Sequence, residues 1–317
     1  MIYEFAPLEG ITDAIYRRLH REYFGGADRY YAPFVSPTGE GITGKGLRGL
    51  MPEENKGIDL VPQLLGKKWE DLVLGCESLA ALGYGEINLN LGCPSGTVTA
   101  KGKGAALLRD TAVLEALLDG LFAHAKGKIS LKTRIGILDG AEFDAIAGVY
   151  AKFPASLVIV HPRTLDAKYK GAPDMEAFRR GLGILPGEVS CNGSFVSVGG
   201  LREFEEAFPG VKTVMIGRGL VADPALCRKA KGGSRSSAEE LRAFSEALAA
   251  AYFEAFQSDR NALFRMKEQW LHLRRMFRGG EGFVKAIGKA KTLGALRLVT
   301  DKLTRECPVL EDADWSA

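Results

Sequence analysis

Short runs of alternating apolar and polar residues recur through the first two-thirds of the chain. They are YEFAP (3–7), RYYAPFV (29–35), LVPQLLG (60–66), EINLNLG (86–92), ISLKTRIG (129–136), LVIVHPRT (157–164), EVSCNGS (188–194) and TVMIGRG (213–219). Each reads as a strand, and the stretches between them carry helical spacing. Two examples are ITDAIYRRLHREYF and DTAVLEALLDGLFAHA, with Thr12 and Asp110 as the expected N-caps. Eight βα units in about 235 residues predict an α/β fold of the closed (β/α)8, or TIM-barrel, type. A doubly wound sheet usually shows fewer strands and an early G-x-G-x-x-G, which this chain lacks. After residue 230 the pattern changes: KGGSRSS (231–237) reads as a linker, and from Ala238 to about Leu310 only helical spacing is present. The expected organisation is a barrel over residues 1–235 followed by a small C-terminal helical-bundle domain over 236–317.

Composition narrows the class. The chain has 317 residues, 46% hydrophobic and 26% charged, enough for one large core with a small satellite. No apolar run is long enough to span a bilayer, and MIYEFAPLEG lacks the basic start of a signal peptide, so a cytoplasmic protein is expected. Five scattered cysteines without a CxxC pair argue against a disulfide framework and a structural zinc site. Four histidines make a His-rich metal centre unexpected as well, and a monomer is the default.

The strand ends carry the candidate chemistry, because in such a barrel they surround one mouth. They are polar here: Glu9, Gln63, Asn90 with Cys93, Lys132 with Arg134, His161 with Arg163, Asn192-Gly193-Ser194, and Gly217-Arg218. One polar end is what chance provides; seven at one mouth imply a bound polar ligand. The glycine-containing ends CNGS and IGRG expose backbone N–H groups of the kind that grip phosphate, and Arg218 adds a charge-assisted donor. Lys132 and His161 would then face the ring system of a phosphate-bearing cofactor, with Gln63 at the edge of a heterocycle. The set resembles a flavin mononucleotide site. Singly, each has a structural reading: a turn for NG or GRG, a satisfied core histidine for His161, a solvated strand end for Lys132.

Residues 88–108, NLNLGCPSGTVTAKGKGAALL, place Cys93 after a strand end and before a proline and a loop rich in Gly and Lys. Cys76, Cys191 and Cys227 read as small buried hydrophobes. Cys93 has no hydrolase-type His/Asn/Asp motif around it, and a thiol pKa of about 8.5 keeps the proton at neutral pH. Proton donor is the better reading. Loop 95–104, with Lys101 and Lys103, is expected to be mobile and to close over substrate.

With these residues in hand, the chain resembles the tRNA-dihydrouridine synthases nearly end to end. APLEGITD (6–13) is similar to the family's A-P-M-x-G-x-T-D, with Leu8 in place of Met, and CPSGTVTAKGKGAALL (93–108) fits its C-P-x3-V-x3-G-x-G-x-A-L-L motif throughout. VPQLLG, LKTRIG and MIGRG are also similar to family segments. Two departures stand out: HPRT (161–164) replaces the usual H-G-R-T, and Asn192-Gly193-Ser194 replaces N-G-D, leaving the backbone donors in place. FRMKEQWLHLRRMF (264–277) further resembles the C-terminal domain of the bacterial branch acting at position 16.

The resemblance implies an enzyme in which NADPH reduces bound FMN, hydride passes from flavin N5 to C6 of a uracil, and Cys93 gives a proton to C5. It implies FMN contacts from Pro7, Leu8, Glu9, Gln63, Lys132, Asn192, Gly193, Ser194, Gly217 and Arg218, with His161 close by. It also makes residues 1–235 the FMN-binding unit and 236–317 a tRNA-binding one. Asn90, Arg134, Arg163, Lys101, Lys103, Arg274 and Arg275 are the expected substrate contacts. The net charge of +3 is modest, but residues 261–307 hold eleven Lys/Arg against four acids, a surplus of seven that leaves the remainder at about −4. Such clustering is the electrostatic footprint of phosphate-backbone contact. Alternatives remain: the same reaction on ribosomal RNA, an FMN barrel reducing a small pyrimidine or enone, or an RNA-binding protein on a retired barrel. The preference for NADPH over NADH comes from the family alone.

Overall fold

The computed structural model describes residues 1–315, apart from the side chain of Lys45; residues 316–317, the end of the expected C-terminal unit, lie outside the described residues. The strands are β1 (Ile2–Phe5), β2 (Arg29–Tyr31), β3 (Leu60–Val61), β4 (Gln63–Leu64), β5 (Glu86–Leu91), β6 (Lys128–Arg134), β7 (Val158–His161), β8 (Val189–Cys191) and β9 (Thr213–Ile216). They form one sheet in the order β3-β2-β1-β9-β8-β7-β6-β5-β4, and every pairing is parallel.

Among the described residues there are nine strands where the sequence predicts eight, because Pro62 divides the run LVPQLLG. Proline has no N–H to give a ladder, so β3 pairs with β2 and β4 pairs with β5 on either side of it. The Pro62 carbonyl still accepts from the Asn88 N–H at 2.9 Å. β3 and β4 are therefore two halves of one stave, and the ring closes through Pro62. The run 29–35 also shortens, to Arg29–Tyr31, with Val35 rejoining the ring in a single bridge to Leu64.

Alternation sorts the strand residues. Tyr31, Val61, Ile159 and Met215 point inward and, with Ala6 and Leu157, form an apolar cluster inside the barrel, beside buried Glu4, which accepts from Tyr31 and Ser190. Their neighbours Tyr30, Leu60, Val158, Val160, Val214 and Ile216 point outward into the core shared with the helices. Asp110 caps the helix Thr111–His124 as expected, accepting from the N–H groups of Ala112 and Val113. At the first helix, Ala14–Tyr23, the cap is Asp13 and not Thr12: the Asp13 carboxylate reaches the Tyr16 N–H at 3.0 Å. Thr12 turns back instead, its hydroxyl accepting from the Leu8 N–H at 2.8 Å and closing the turn that carries Glu9.

Beyond residue 237 the chain is helical, with α-helices Ala238–Phe256, Asp259–Leu273, Val284–Lys289 and Leu293–Glu306. The apolar core runs on into them. Phe244 meets Tyr16, Tyr23 and Phe24 edge-on, with ring centroids 5.6, 5.8 and 5.0 Å apart. Helix Asp259–Leu273 reaches the barrel mouth, where Gln269 donates to the Ile11 carbonyl at 3.2 Å and Arg265 to that of Gly10. The chain then returns toward the barrel, pinned where Lys229 meets Asp223 and Asp312, each at 2.7 Å. Among the described residues no helix is long and apolar enough to cross a membrane.

Candidate active site

Beside the apolar cluster, the inward positions toward the mouth are polar. The ladder sets Asn90 beside Lys132 and, one step nearer the mouth, Arg134 beside His161. They open into a cavity of about 510 Å³. It is lined by Pro7, Leu8, Glu9, Gln63, Lys132, His161, Asn192, Gly193, Ser194, Gly217 and Arg218, together with Asn90, Cys93, Arg134 and Arg163. Lys101, Lys103, Arg274 and Arg275 do not line it: Lys101 is exposed and Lys103 half-buried on loop 95–104, while Arg274 is buried and Arg275 half-buried at the end of helix Asp259–Leu273. Tyr169 and Trp315 line it too, on loops that no periodic pattern marks, and so does Phe34, which falls in the run 29–35 but is not among the residues expected in the site.

A buried amide chain fixes the floor. Asn88 donates to Ser130 at 2.9 Å and accepts from Gln63 at 2.7 Å; Asn90 donates to Gln63 at 2.8 Å. The Asn90 oxygen accepts from the backbone N–H groups of Gly92 and Cys93, at 3.1 and 2.9 Å, so it holds the turn that presents the thiol. Burial raises the Cys93 pKa above its ordinary value, against an N–H from Ser95 and the charges of Lys132 and Arg134, which lower it. The thiol keeps its proton at neutral pH.

The segment after Cys93 is more ordered than a glycine-rich flap. It folds into helical turns at Gly96–Thr99 and Gly104–Arg109, with Val98, Ala105, Leu107 and Leu108 buried. Gly104 is required by conformation and by space. Its φ is +61°, and a Cβ there would lie 3.0 Å from the Cys93 carbonyl oxygen and 3.2 Å from the Cys93 Cβ.

Four cations, Lys132, Arg134, Arg163 and Arg218, line the cavity against one carboxylate, Glu9. Burial, assisted by Arg134, lowers the Lys132 pKa to about 7. His161 is held well below its ordinary pKa by burial and by the surrounding cations Arg134, Lys132, Arg163 and Arg218. Arg163 Nη1 lies 3.1 Å from His161 Nε2, and because a guanidinium only donates, that nitrogen is the acceptor and Nδ1 carries the proton. Arg163 also donates to Ser194 at 2.7 Å and to the Gly171 carbonyl at 2.8 Å. Arg134, 1% exposed, spends its donors on the carbonyls of Gly92, Thr164 and Lys168, at 2.8, 2.9 and 2.7 Å, and so buttresses the Cys93 turn from behind.

The loops after β8 and β9 meet at one end of the cavity. A Cβ on Gly219 would lie 2.0 Å from the Phe195 carbonyl oxygen, so only glycine lets the two backbones approach. Asn192 ties them by donating to the Met215 carbonyl at 2.8 Å. Helix Arg218–Ala222 begins there, with the N–H groups of Leu220 and Val221 turned back to the Gly217 carbonyl at 2.9 and 3.3 Å. Among the described residues no group of three or more His, Cys, Asp and Glu is placed to hold a metal ion.

Comparison with known proteins gives a consistent picture. The sequence profile of the dihydrouridine synthase (Dus) family matches residues 4–313. A tRNA-dihydrouridine(16) synthase of Cupriavidus necator is 31% identical over 245 residues, covering 74% of this chain and 76% of its own length. One from Pseudomonas putida is 31% identical, covering 70% of each. Among solved structures, morphinone reductase aligns with a TM-score of 0.50 at 11% identity, over 74% of this chain and 87% of its own. An old yellow enzyme homologue from Zymomonas mobilis does so at 0.50 and 8%, over 75% and 91%. These last two are similar in fold.

Proposed function

Because the chain belongs to the dihydrouridine synthase family, we propose that it reduces uridine in tRNA to 5,6-dihydrouridine, with FMN across the barrel mouth, NADPH as reductant and Cys93 as proton donor. The observation that carries this reading is the meeting, in one cavity, of a protonated thiol, a lysine with a lowered pKa and two glycine-bearing loops beside Arg218.

The residues fit a flavin phosphate. A volume of about 510 Å³ lies within the range of small-molecule sites, and the cationic excess suits an anion. Asn192, Gly193, Ser194, Gly217 and Arg218 would hold the phosphate; Pro7, Leu8, Glu9, Gln63, Lys132 and His161 would surround the ring system. FMN reduced by NADPH would supply the hydride to C6 of the uracil. Cys93 then supplies the proton at C5, from a thiol that burial keeps protonated. The base reaches the cavity by being turned out of the folded RNA, with Arg163 and Asn90 at the wall it meets. Residues 236–317 form the tRNA-docking unit, and the relatives' names extend to this chain the expectation of position 16.

The test uses the purified protein. It should be yellow, release FMN on denaturation, bleach with NADPH and recover its colour when unmodified tRNA is added, with dihydrouridine formed. A protein that binds no flavin overturns the reading. One that bleaches and passes its electrons to small enones but not to tRNA overturns the substrate.

A further inference from the structure

The chain's final described residue, Trp315, lies in the cavity wall although it belongs to the tail that follows the last helix. Its surroundings are unusual for an indole. Arg275 sits over the ring with its guanidinium carbon 4.6 Å from the centroid, and Arg218 faces the same ring at 5.8 Å. Arg218 also lies over Tyr169 at 4.6 Å, and Arg134 over Tyr169 at 5.4 Å. Three guanidiniums are thus separated by two aromatic faces in the sequence Arg134, Tyr169, Arg218, Trp315, Arg275. A cation over a ring face is attracted by the ring's quadrupole, most strongly for Trp, and interposed rings let like charges crowd one wall.

Arg218 depends on these faces. Among the described residues no hydrogen bond or ion pair joins its guanidinium to the protein; the rings of Tyr169 and Trp315 are what holds it. Its donors remain available to a ligand. Among the described residues the buried indole N–H of Trp315 has no acceptor, so the ring's contribution is its face. The tail is fixed on the barrel by Asp312 on Lys229 and by reciprocal contacts of Arg275 with the Asp314 backbone, both at 2.8 Å.

We propose that Trp315 is a positioning residue for Arg218, so that the C-terminal tail completes the phosphate end of the flavin site. This rests on the FMN reading above. Binding of FMN and of riboflavin, which lacks the phosphate, is measured by fluorescence quenching on flavin-free protein, for wild type, Trp315→Phe and Trp315→Ala, with thermal melts of each. Trp315→Ala is expected to lose roughly tenfold in FMN affinity, in keeping with a desolvated cation–π contact, and to hold riboflavin as wild type does; Trp315→Phe should recover part of the loss. An unchanged FMN affinity in a folded Trp315→Ala protein overturns the inference, as does equal weakening of both flavins. If Trp315→Ala does not fold, Trp315→Phe decides: a lowered ratio of FMN to riboflavin affinity supports the role, and an unchanged ratio overturns it. If wild type binds neither flavin, the FMN reading fails and this inference fails with it; wild-type binding with an unaltered variant removes this inference alone.

Discussion

Burial sets the protonation of two groups in this barrel, the Cys93 thiol and the Glu4 carboxyl. Cys93 is raised above its ordinary pKa, so the step that uses its proton should weaken only on the alkaline side, whereas Lys132, lowered to about 7, titrates within the neutral range. A Lys132→Met variant should remove any change between pH 6 and 8 and keep the alkaline fall; a fall between pH 6 and 8 that persists in it would point to another donor. Glu4, 1% exposed, accepts from Tyr31 at 2.8 Å and Ser190 at 3.1 Å, and burial raises its pKa to about 7. A carboxyl with a raised folded-state pKa stabilises the fold fully below its unfolded value and loses that contribution as pH rises toward the folded one. The stability assigned to Glu4 therefore drains between about pH 4.5 and 7, on the order of 3 kcal/mol. Thermal melts of Glu4→Gln, which mimics the protonated form, should lose much of that slope and show higher stability than wild type at pH 8. Cys93 and Lys132 were legible in the sequence because a motif and a strand end mark them. Tyr169 and Trp315 were not, being single aromatics on irregular segments whose place is set by tertiary contact.

At the scale of elements, the turn after β5 presents Cys93 to the cavity, and Gly104 packs against it. Gly104→Ala places a side chain in the left-handed region at φ +61° and against the Cys93 carbonyl. The backbone term alone is roughly 1–2 kcal/mol, and the displaced Cys93 should lower turnover about tenfold or more with flavin affinity unchanged. Equal activity in the variant would show that the thiol's position tolerates movement. The strand and helix pattern was readable because inward and outward residues alternate through each run. What escaped was local competition: Pro62 interrupts one ladder, and Asp13 takes the cap expected of Thr12 because the threonine hydroxyl is engaged with Leu8. The Gly/Lys stretch after Cys93 read as a flap from its composition, which does not reveal the helical turns that bury Val98 and Leu107.

For the whole molecule, charge separates the two ends of the chain. Arg278, Lys285, Lys289 and Lys291 are exposed, and among the described residues no carboxylate pairs with them, whereas Arg297 is tied to Glu246 at 2.9 Å. Reversing Lys285, Lys289 and Lys291 to Glu should weaken tRNA binding by about tenfold or more, most steeply at low salt, and leave NADPH-driven flavin bleaching intact. Unchanged affinity would move the docking face elsewhere. The barrel and the helical C-terminal region were both evident from patterning; the apolar core continuous between them was not, since contacts such as Phe244 on Tyr16 join residues far apart in sequence. The reaction proposed for this molecule is uridine reduction in tRNA with Cys93 as proton donor. Its most direct test is positional mapping of dihydrouridine in RNA from a bacterial strain stripped of its own dihydrouridine synthases, expressing either this chain or its Cys93→Ala variant. Wild type should form dihydrouridine at one tRNA position, expected to be 16, and the variant should lose about 10²- to 10⁴-fold in its rate of formation. Dihydrouridine confined to ribosomal RNA, or formed equally well by the variant, would contradict it.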